Sequence, residues 1–225
     1  MDQTPLRDYF NADLLALVPV DATRVVEVGC GSGAMAREYR KRNPACQYVG
    51  IEIDPVYADA SRFYCDEVLV GSIESLSDEV FKTLFPSSCW IFGDVLEHLY
   101  DPWRTLKRVR GSLGDSGCVV ACIPNAQHWS VQGLLSVGDF RYQDAGLLDR
   151  THIRWFTRKT IIDLFNSTGF EIEEMGGRVF DEPGRAQALP AIRSLAQACG
   201  ADPDEAERDA MPIQYLVRAR VRPGA

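Results

Sequence analysis

A glycine-rich loop constrains the fold of this chain more than any other feature of its sequence. Three glycines in Glu27-Val28-Gly29-Cys30-Gly31-Ser32-Gly33-Ala34 follow an apolar run and precede a helical pattern. Bare backbone can approach a ligand closely at such a turn, and the N-terminus of the following helix carries partial positive charge. The loop therefore predicts a site for a nucleotide-like cofactor at the carboxyl end of a buried strand.

The rest of the chain alternates between strand-length apolar runs and helical patterns. Strands are predicted over Arg24–Val28, Tyr48–Ile53, Glu67–Val70, Cys89–Gly93, Cys118–Ile123, Phe170–Phe180 and Ile213–Val221. Helices are predicted over Ala34–Arg42, Val56–Phe63, Ile73–Phe85, Trp103–Leu113 and Arg158–Ser167. Such alternation is typical of an α/β protein with a mainly parallel sheet flanked by helices.

The length of 225 residues suits one domain of this kind, so we predict a single domain over residues 1–225. An amphipathic helix within residues 1–20, with Leu6, Phe10 and Leu14 among its apolar positions, is expected to cap the domain. Residues 124–157 lack clear periodicity and predict a lid over the strand ends. Residues 184–210 predict a helical insertion before the last strand.

Composition limits the partners and the compartment. A net charge of −8 disfavours contact with a polyphosphate backbone, so no nucleic acid partner is expected. No apolar run approaches the roughly 20 residues that cross a bilayer, and the N-terminus lacks a secretory pattern. We therefore predict a cytoplasmic protein without membrane insertion. The seven cysteines show no C-x-x-C spacing of the zinc type and are predicted to be reduced thiols.

An acidic residue lies one position before the end of each of the first two predicted strands. Glu27 lies in a strand whose neighbouring side chains are apolar, so it needs a cationic partner or several hydrogen-bond donors. S-adenosylmethionine (SAM) offers an ammonium and a sulfonium, whereas the pyrophosphate of NAD would be repelled. Glu52, about 20 residues beyond the loop, is placed to accept from ribose hydroxyls. Gly29, Gly31 and Ala34 also fit the dinucleotide fingerprint, which keeps an NAD-dependent oxidoreductase open.

Further cofactor contacts are expected where the strands end. Asp54 before Pro55 is instead predicted to cap the next helix. The predicted cofactor-binding residues are Glu27, Gly29, Cys30, Gly31, Gly33, Glu52, Ile53, Ser72, Ile73, Asp94 and Val95.

Several of these segments together resemble the class I SAM-dependent methyltransferases. The resemblance is carried by Glu27 to Gly33, Gly50 to Asp54, Phe92 to Leu99 and Gly117 to Pro124. Asp94 to Pro102 is similar to the branch that includes quinone-biosynthesis O-methyltransferases. Ile123 to His128 and Gly146 to Thr157 are similar to bacterial methyltransferases associated with surface-glycan assembly. Ser72 departs from the pattern, because many relatives have an acidic residue there for the adenine amino group.

The resemblance implies a Rossmann-like, seven-stranded sheet with an antiparallel last strand, SAM as cofactor and residues 124–157 as the acceptor region. The expected reaction is O-methylation of a small hydroxylated acceptor such as a sugar or glycan precursor. A quinone or phenol acceptor is the alternative. A non-catalytic SAM-binding module is the alternative in another class.

Methyl transfer to a hydroxyl requires a base, and all three histidines follow the fourth or fifth strand. His152 and His98 are predicted as catalytic residues, each with a structural role as the alternative. Asp149 is predicted to hold the His152 imidazole in one tautomer, unless it pairs with Arg150. His128, beside Trp129, is expected to face the acceptor.

Asp94, Glu97 and His98 have i, i+3, i+4 spacing, so a helical turn would present all three on one face. That face could bind a divalent cation. Three ligands from one segment rarely suffice without a fourth elsewhere, so no metal site is predicted.

Overall fold

Seven strands form one sheet in the computed structural model, which describes residues 8–222. The strands are β1 (Arg24–Val28), β2 (Gln47–Glu52), β3 (Glu67–Val70), β4 (Ser87–Gly93), β5 (Leu113–Pro124), β6 (Phe170–Arg178) and β7 (Gln214–Val221). Their order in the sheet is β3-β2-β1-β4-β5-β7-β6. β7 pairs antiparallel with both β5 and β6, whereas the pairs among β1 to β5 are parallel. The predicted seven-stranded sheet with an antiparallel last strand is confirmed.

Helices cover both faces of this sheet. The α-helices of the described range are α1 (Ala12–Leu17), α2 (Ala34–Arg42), α3 (Pro55–Ser61), α4 (Asp78–Thr83), α5 (Pro102–Arg110), α6 (Trp129–Ser136), α7 (Arg158–Ser167), α8 (Arg185–Ala198) and α9 (Pro203–Ala210). Short 3-10 turns lie at Ile73–Ser75 and Leu96–His98.

Alternate residues along the strands build two separate cores. Val26, Val28 and Trp90 face the side covered by α5 and α7. Val25 and Ile91 face the side covered by α1, α2 and α3. The strand order reverses between β1 and β4, and ligands of open α/β sheets bind at the carboxyl ends of the strands next to such a reversal. This topology places the candidate site.

Local capping explains where the elements differ from the sequence predictions. The opening helix begins after Asn11, whose side chain caps it, so Phe10 lies outside it and Leu6 lies outside the described residues. The predicted helix Ile73–Phe85 is divided, because Ser77 caps a new helix after the 3-10 turn. Asp54 caps α3 as predicted, accepting from Val56 and Tyr57 backbone N–H groups.

The remaining boundaries shift by a few residues. α5 ends at Arg110, which lets β5 begin earlier than predicted, and β6 ends at Arg178 rather than at Phe180. The region of residues 184–210 contains α8 and α9, and residues 124–157 contain α6 followed by irregular chain.

None of the helices in the described range has the length and apolar character that crossing a bilayer requires. The described cysteines are all free thiols, and only Cys199 among them is exposed.

Candidate active site

The glycine loop turns the chain from β1 into α2 with bare backbone. Gly29 and Gly33 have φ values of 70° and 79°, a region that costs other residues about 1–2 kcal/mol. A Cβ on Gly29 would lie 2.9 Å from Val95 Cγ2, and one on Gly33 would lie 3.1 Å from Ser61 Cα. Neither position has room for a side chain. The loop therefore packs tightly against the segment after β4 and the end of α3. Glycine at both positions allows this close packing and leaves backbone that a ligand can approach closely.

Glu52 lies at the end of β2, beside this loop. Its Oε2 accepts from the Gly31 N–H at 2.9 Å, and its Oε1 accepts from the Asp54 N–H at 3.0 Å. The residue is buried. Each carboxylate oxygen has two lone pairs, so each can accept one more hydrogen bond. This geometry suits the predicted contact with ribose hydroxyls.

Glu27 is buried on the α1 and α2 side of the sheet. Its Oε2 accepts a hydrogen bond of 2.8 Å from the Tyr48 hydroxyl. Burial raises the pKa of Glu27 well above its ordinary value, the nearby Cys30 and Glu52 raise it further, and the Tyr48 hydrogen bond opposes them. A cation placed beside this carboxyl would stabilise the ionised form. Binding of the SAM ammonium by Glu27 stays a prediction.

Asp94 and Val95 follow β4. The Asp94 side chain accepts from the Gln214 side-chain amide, and its backbone N–H donates to the Cys122 carbonyl at 3.0 Å. The Asp94 side chain is exposed to solvent. Burial raises the pKa of Asp94 to about 6, against the opposing effects of Cys122, Arg178 and Gln214. Asp94 is therefore accessible to a ligand between the β4 and β7 ends.

The predicted cofactor contacts after β2 and β3 differ in accessibility. The Ile53 side chain is exposed, and the Ser72 hydroxyl accepts from the Glu74 N–H at 3.3 Å. Ile73 is only 3% exposed and packs into the core. The 3-10 turn directs its side chain inward, and a contact of Ile73 with the cofactor stays a prediction.

Residues 151–154 of the predicted lid are hydrogen-bonded to the segment after β4. The Ile153 and Arg154 N–H groups both donate to the Glu97 carbonyl, at 3.0 and 2.9 Å. His98 Nδ1 lies 3.0 Å from the Thr151 carbonyl oxygen. These contacts join two segments that are far apart in the sequence, and they bring His152 next to His98.

His98 and His152 converge on the buried carboxylate of Glu97. Glu97 Oε1 lies 3.9 Å from Nε2 of each imidazole. The two rings meet edge to face with centroids 4.9 Å apart. Burial lowers the pKa of both histidines, while burial and the nearby charges of Asp94 and Asp149 raise the pKa of Glu97. The two histidines, predicted as alternative bases, thus belong to one cluster.

The structure assigns the orientation of His152 to a different group from the one predicted. His152 Nδ1 lies 3.1 Å from the Leu147 carbonyl oxygen. Asp149 instead accepts from the Thr151 N–H at 2.8 Å and hydroxyl at 2.6 Å. Burial opposes ionisation of Asp149, yet these hydrogen bonds hold its pKa below the ordinary value. Arg150 does not pair with Asp149 either, because it forms an ion pair with Asp144.

His128 is a structural residue rather than an acceptor-facing one. It is fully buried. Its Nε2 lies 3.0 Å from Glu182 Oε2, which also accepts from Trp129 Nε1 at 3.0 Å, and its Nδ1 lies 2.8 Å from the Ser130 hydroxyl. These contacts hold the chain after β6 against the start of α6.

Asp94, Glu97 and His98 do not share one helical face as the spacing suggested. Asp94 has a φ of 55°, which ends the regular backbone before the 3-10 turn at Leu96–His98. Its side chain contacts Gln214, whereas Glu97 and His98 meet His152. The ligand-type atoms of Glu97, His98 and His152 lie within 4.8 Å of one another.

The cofactor half of the site fits SAM. Glu52 retains acceptor positions for hydroxyl donors, Glu27 is a buried carboxyl that a cationic group would stabilise, and the backbone of the loop can approach a ligand closely.

The buried Ser32 hydroxyl, which the sequence analysis did not select, has no hydrogen-bond partner within the described residues. Gln214 and the Leu147 carbonyl were also missed, since no local motif marks them. Sheet order, glycine loop and acidic strand ends together define a Rossmann-like SAM-dependent methyltransferase.

Comparison with known proteins agrees with this class. A family model described as "Methyltransferase domain" matches residues 5–175, so the chain belongs to that family and is a SAM-dependent methyltransferase. This family assignment rejects the alternative of an NAD-dependent oxidoreductase. The chain is 26% identical over 184 residues to "Ubiquinone biosynthesis O-methyltransferase" of Azorhizobium caulinodans, covering 77% of this chain and 68% of the relative.

Solved structures show the same fold. A SAM-dependent methyltransferase from Mesorhizobium loti has a TM-score of 0.61 at 19% identity, with 93% of this chain and 96% of that chain covered. The plantazolicin methyltransferase BpumL in complex with SAH has a TM-score of 0.59 at 15% identity, with 89% and 76% covered.

Proposed function

We propose that this methyltransferase transfers a methyl group from SAM to a hydroxyl group of a small acceptor, bound between the β4 end and residues 124–157. The convergence of His98 and His152 on Glu97, near the exposed Asp94, carries this proposal. When bound, SAM supplies the methyl group on a sulfonium centre. The acceptor oxygen forms a bond to the methyl carbon as the carbon–sulfur bond breaks with its electrons on sulfur, and the acceptor proton passes to a base.

His152 and His98 are the groups available to accept that proton. Burial lowers the pKa of each imidazole, so both are neutral at neutral pH. Each Nδ1 faces a backbone carbonyl, which can only accept a hydrogen bond, so each Nδ1 carries the hydrogen. Each Nε2 therefore presents a free lone pair toward Glu97. Asp149 acts indirectly. It accepts hydrogen bonds from Thr151, whose backbone carbonyl in turn contacts His98 Nδ1.

Two acceptor classes suit the aromatic side chains beside the cluster. The Trp155 ring lies 6.0 Å from the His152 ring and 5.2 Å from the Phe140 ring, measured between centroids. Sugars and aromatic acceptors both stack on such rings. The sequence motifs favour a sugar or glycan precursor, whereas the relative from Azorhizobium caulinodans favours a quinol or phenol.

Calorimetry followed by an acceptor panel tests the proposal. Titration with SAM and with its demethylated product should show saturable binding, and absence of binding to both would overturn the cofactor assignment. Formation of the demethylated product is then measured with nucleotide sugars, catechols and, as a control, matched acceptors whose hydroxyls are already methylated. Turnover that persists with the blocked acceptors would reject transfer to oxygen.

A further inference from the structure

The ligand-type atoms of Glu97, His98 and His152 lie within 4.8 Å of one another, and no hydrogen bond joins the Glu97 carboxyl to either imidazole. Glu97 is 1% exposed, and neither of its carboxylate oxygens has a hydrogen-bond partner in the described part of the chain. Leaving a buried carboxylate without a partner is costly. The nearest groups to Oε1 are the two Nε2 atoms, each at 3.9 Å.

Both imidazoles are fixed so that their lone pairs face Glu97. His98 Nδ1 is held by the Thr151 carbonyl at 3.0 Å, and His152 Nδ1 by the Leu147 carbonyl at 3.1 Å. Histidine ligands of metal ions typically donate their second ring N–H to a carbonyl or carboxylate, which fixes the tautomer and the ring orientation. A single proton could be shared by only two of these three groups, whereas a divalent cation could bind the Glu97 carboxylate and both Nε2 atoms at once.

We propose that Glu97, His98 and His152 bind one divalent transition-metal ion and leave one coordination position for the acceptor hydroxyl. Two imidazole nitrogens and one carboxylate oxygen suit zinc and similar ions, whereas Mg²⁺ and Ca²⁺ prefer oxygen ligands. Ligands at zinc distances lie about 3.4 Å apart in a tetrahedral site. The separations of 3.9 Å therefore close with small side-chain rotations.

The open position gives the ion a role that rests on the proposed O-methyl transfer. In the metal-loaded enzyme both imidazoles serve as ligands rather than as bases. An acceptor hydroxyl that binds the ion has a lowered pKa and loses its proton to water. Residues 147–154 complete the site, because they supply His152 and both of the carbonyl groups that orient the imidazoles.

Metal titration of the untagged full-length protein tests the site independently of turnover. After chelator treatment, Zn²⁺ is titrated by calorimetry, and Co²⁺ is followed by its visible absorption, which reports nitrogen and oxygen ligands. We expect one tight site per chain. Glu97→Gln and His152→Gln should each weaken Zn²⁺ binding by about 100-fold or more, since even outer-shell changes cost 10- to 100-fold. Mg²⁺ should not compete.

His128→Gln is the matched control, because it replaces a buried histidine outside the cluster. It should leave Zn²⁺ affinity unchanged. SAM affinity, measured on every variant, shows that each one is folded and that the cofactor half is intact. Absence of a tight Zn²⁺ site in the wild type, or equal affinity in Glu97→Gln, would overturn the proposal while leaving the methyltransferase assignment unaffected.

Discussion

Glu52 connects the glycine loop, the start of α3 and the expected ribose position through a single carboxylate. Glu52→Ala should weaken SAM binding about 10- to 100-fold, since hydrogen bonds to a charged group are worth roughly 1.5–3 kcal/mol. Calorimetric titration measures the change. Asp54→Ala is the control, because it removes the helix cap and about 1 kcal/mol of stability but leaves Glu52 in place. An equal loss of SAM affinity in both variants would assign the effect to the start of α3.

Glu27 should make SAM affinity depend on pH. Its pKa is raised by burial in the free protein, and a bound ammonium group would lower it, so binding releases a proton between the two pKa values. Affinity should therefore increase with pH until the free carboxyl is fully ionised. Titrations at several pH values, in buffers of different ionisation enthalpy, measure the released proton. Glu27→Gln should abolish the dependence; a variant that keeps it would exclude Glu27 as its source.

A sequence pattern can select a residue that differs in character from its immediate neighbours. Glu27 and Glu52 are conspicuous because each interrupts or ends an apolar strand. The pairing of His98 with His152 is not visible, because it depends on two hydrogen bonds to the Glu97 carbonyl across more than fifty residues of chain. The role predicted for Asp149 failed for a related reason, since a backbone carbonyl, which no side-chain pattern marks, orients the imidazole.

At the scale of elements, every strand overlaps a predicted one, and for the buried parallel strands this is because such strands need continuous apolar sequence. Helix boundaries were less accurate where a cap competed with the periodic pattern. Asn11 and Ser77 each start a helix inside a segment whose apolar spacing extends further. A side-chain oxygen that accepts the first free N–H groups decides the helix start, and periodicity does not report it.

The start of α2 offers a test of how tightly the loop packs. Gly33→Ala combines a left-handed backbone, φ 79°, with a Cβ 3.1 Å from Ser61 Cα. Gly138→Ala has nearly the same φ, 75°, but no atom within 4 Å of the added Cβ. Gly138→Ala should cost about 1–2 kcal/mol from backbone strain alone, and Gly33→Ala measurably more. Urea unfolding measures the free energy of unfolding of both variants. Equal losses of stability would show that α3 moves away from the added Cβ without an energetic cost.

For the whole molecule, the sheet brings the two halves of the site to one edge from different kinds of sequence. The predicted cofactor half lies at the ends of β1, β2 and β4, so local motifs mark it. The proposed acceptor half includes residues 147–154, which are irregular and take their position from contacts with the β4 end. Fold and cofactor were therefore predictable, whereas the geometry of the histidine cluster required the structure.

This division predicts that substitutions in the cofactor half reduce the stabilisation by SAM, whereas substitutions in the acceptor half reduce turnover. SAM at 100 times its Kd should stabilise the wild type by about 2.7 kcal/mol, which thermal unfolding with and without SAM measures. His152→Ala and His98→Ala should both keep this stabilisation. The variant that removes the base should lose about 100-fold or more in turnover, the scale on which general base catalysis contributes, and both variants should lose it if the two imidazoles bind a metal ion together. Glu52→Ala should retain only about 0.4–1.4 kcal/mol of the stabilisation at the same SAM concentration, since its SAM affinity should be about 10- to 100-fold weaker. If both histidine variants instead retain near wild-type turnover, alignment alone drives methyl transfer and the cluster has no part in activating the acceptor.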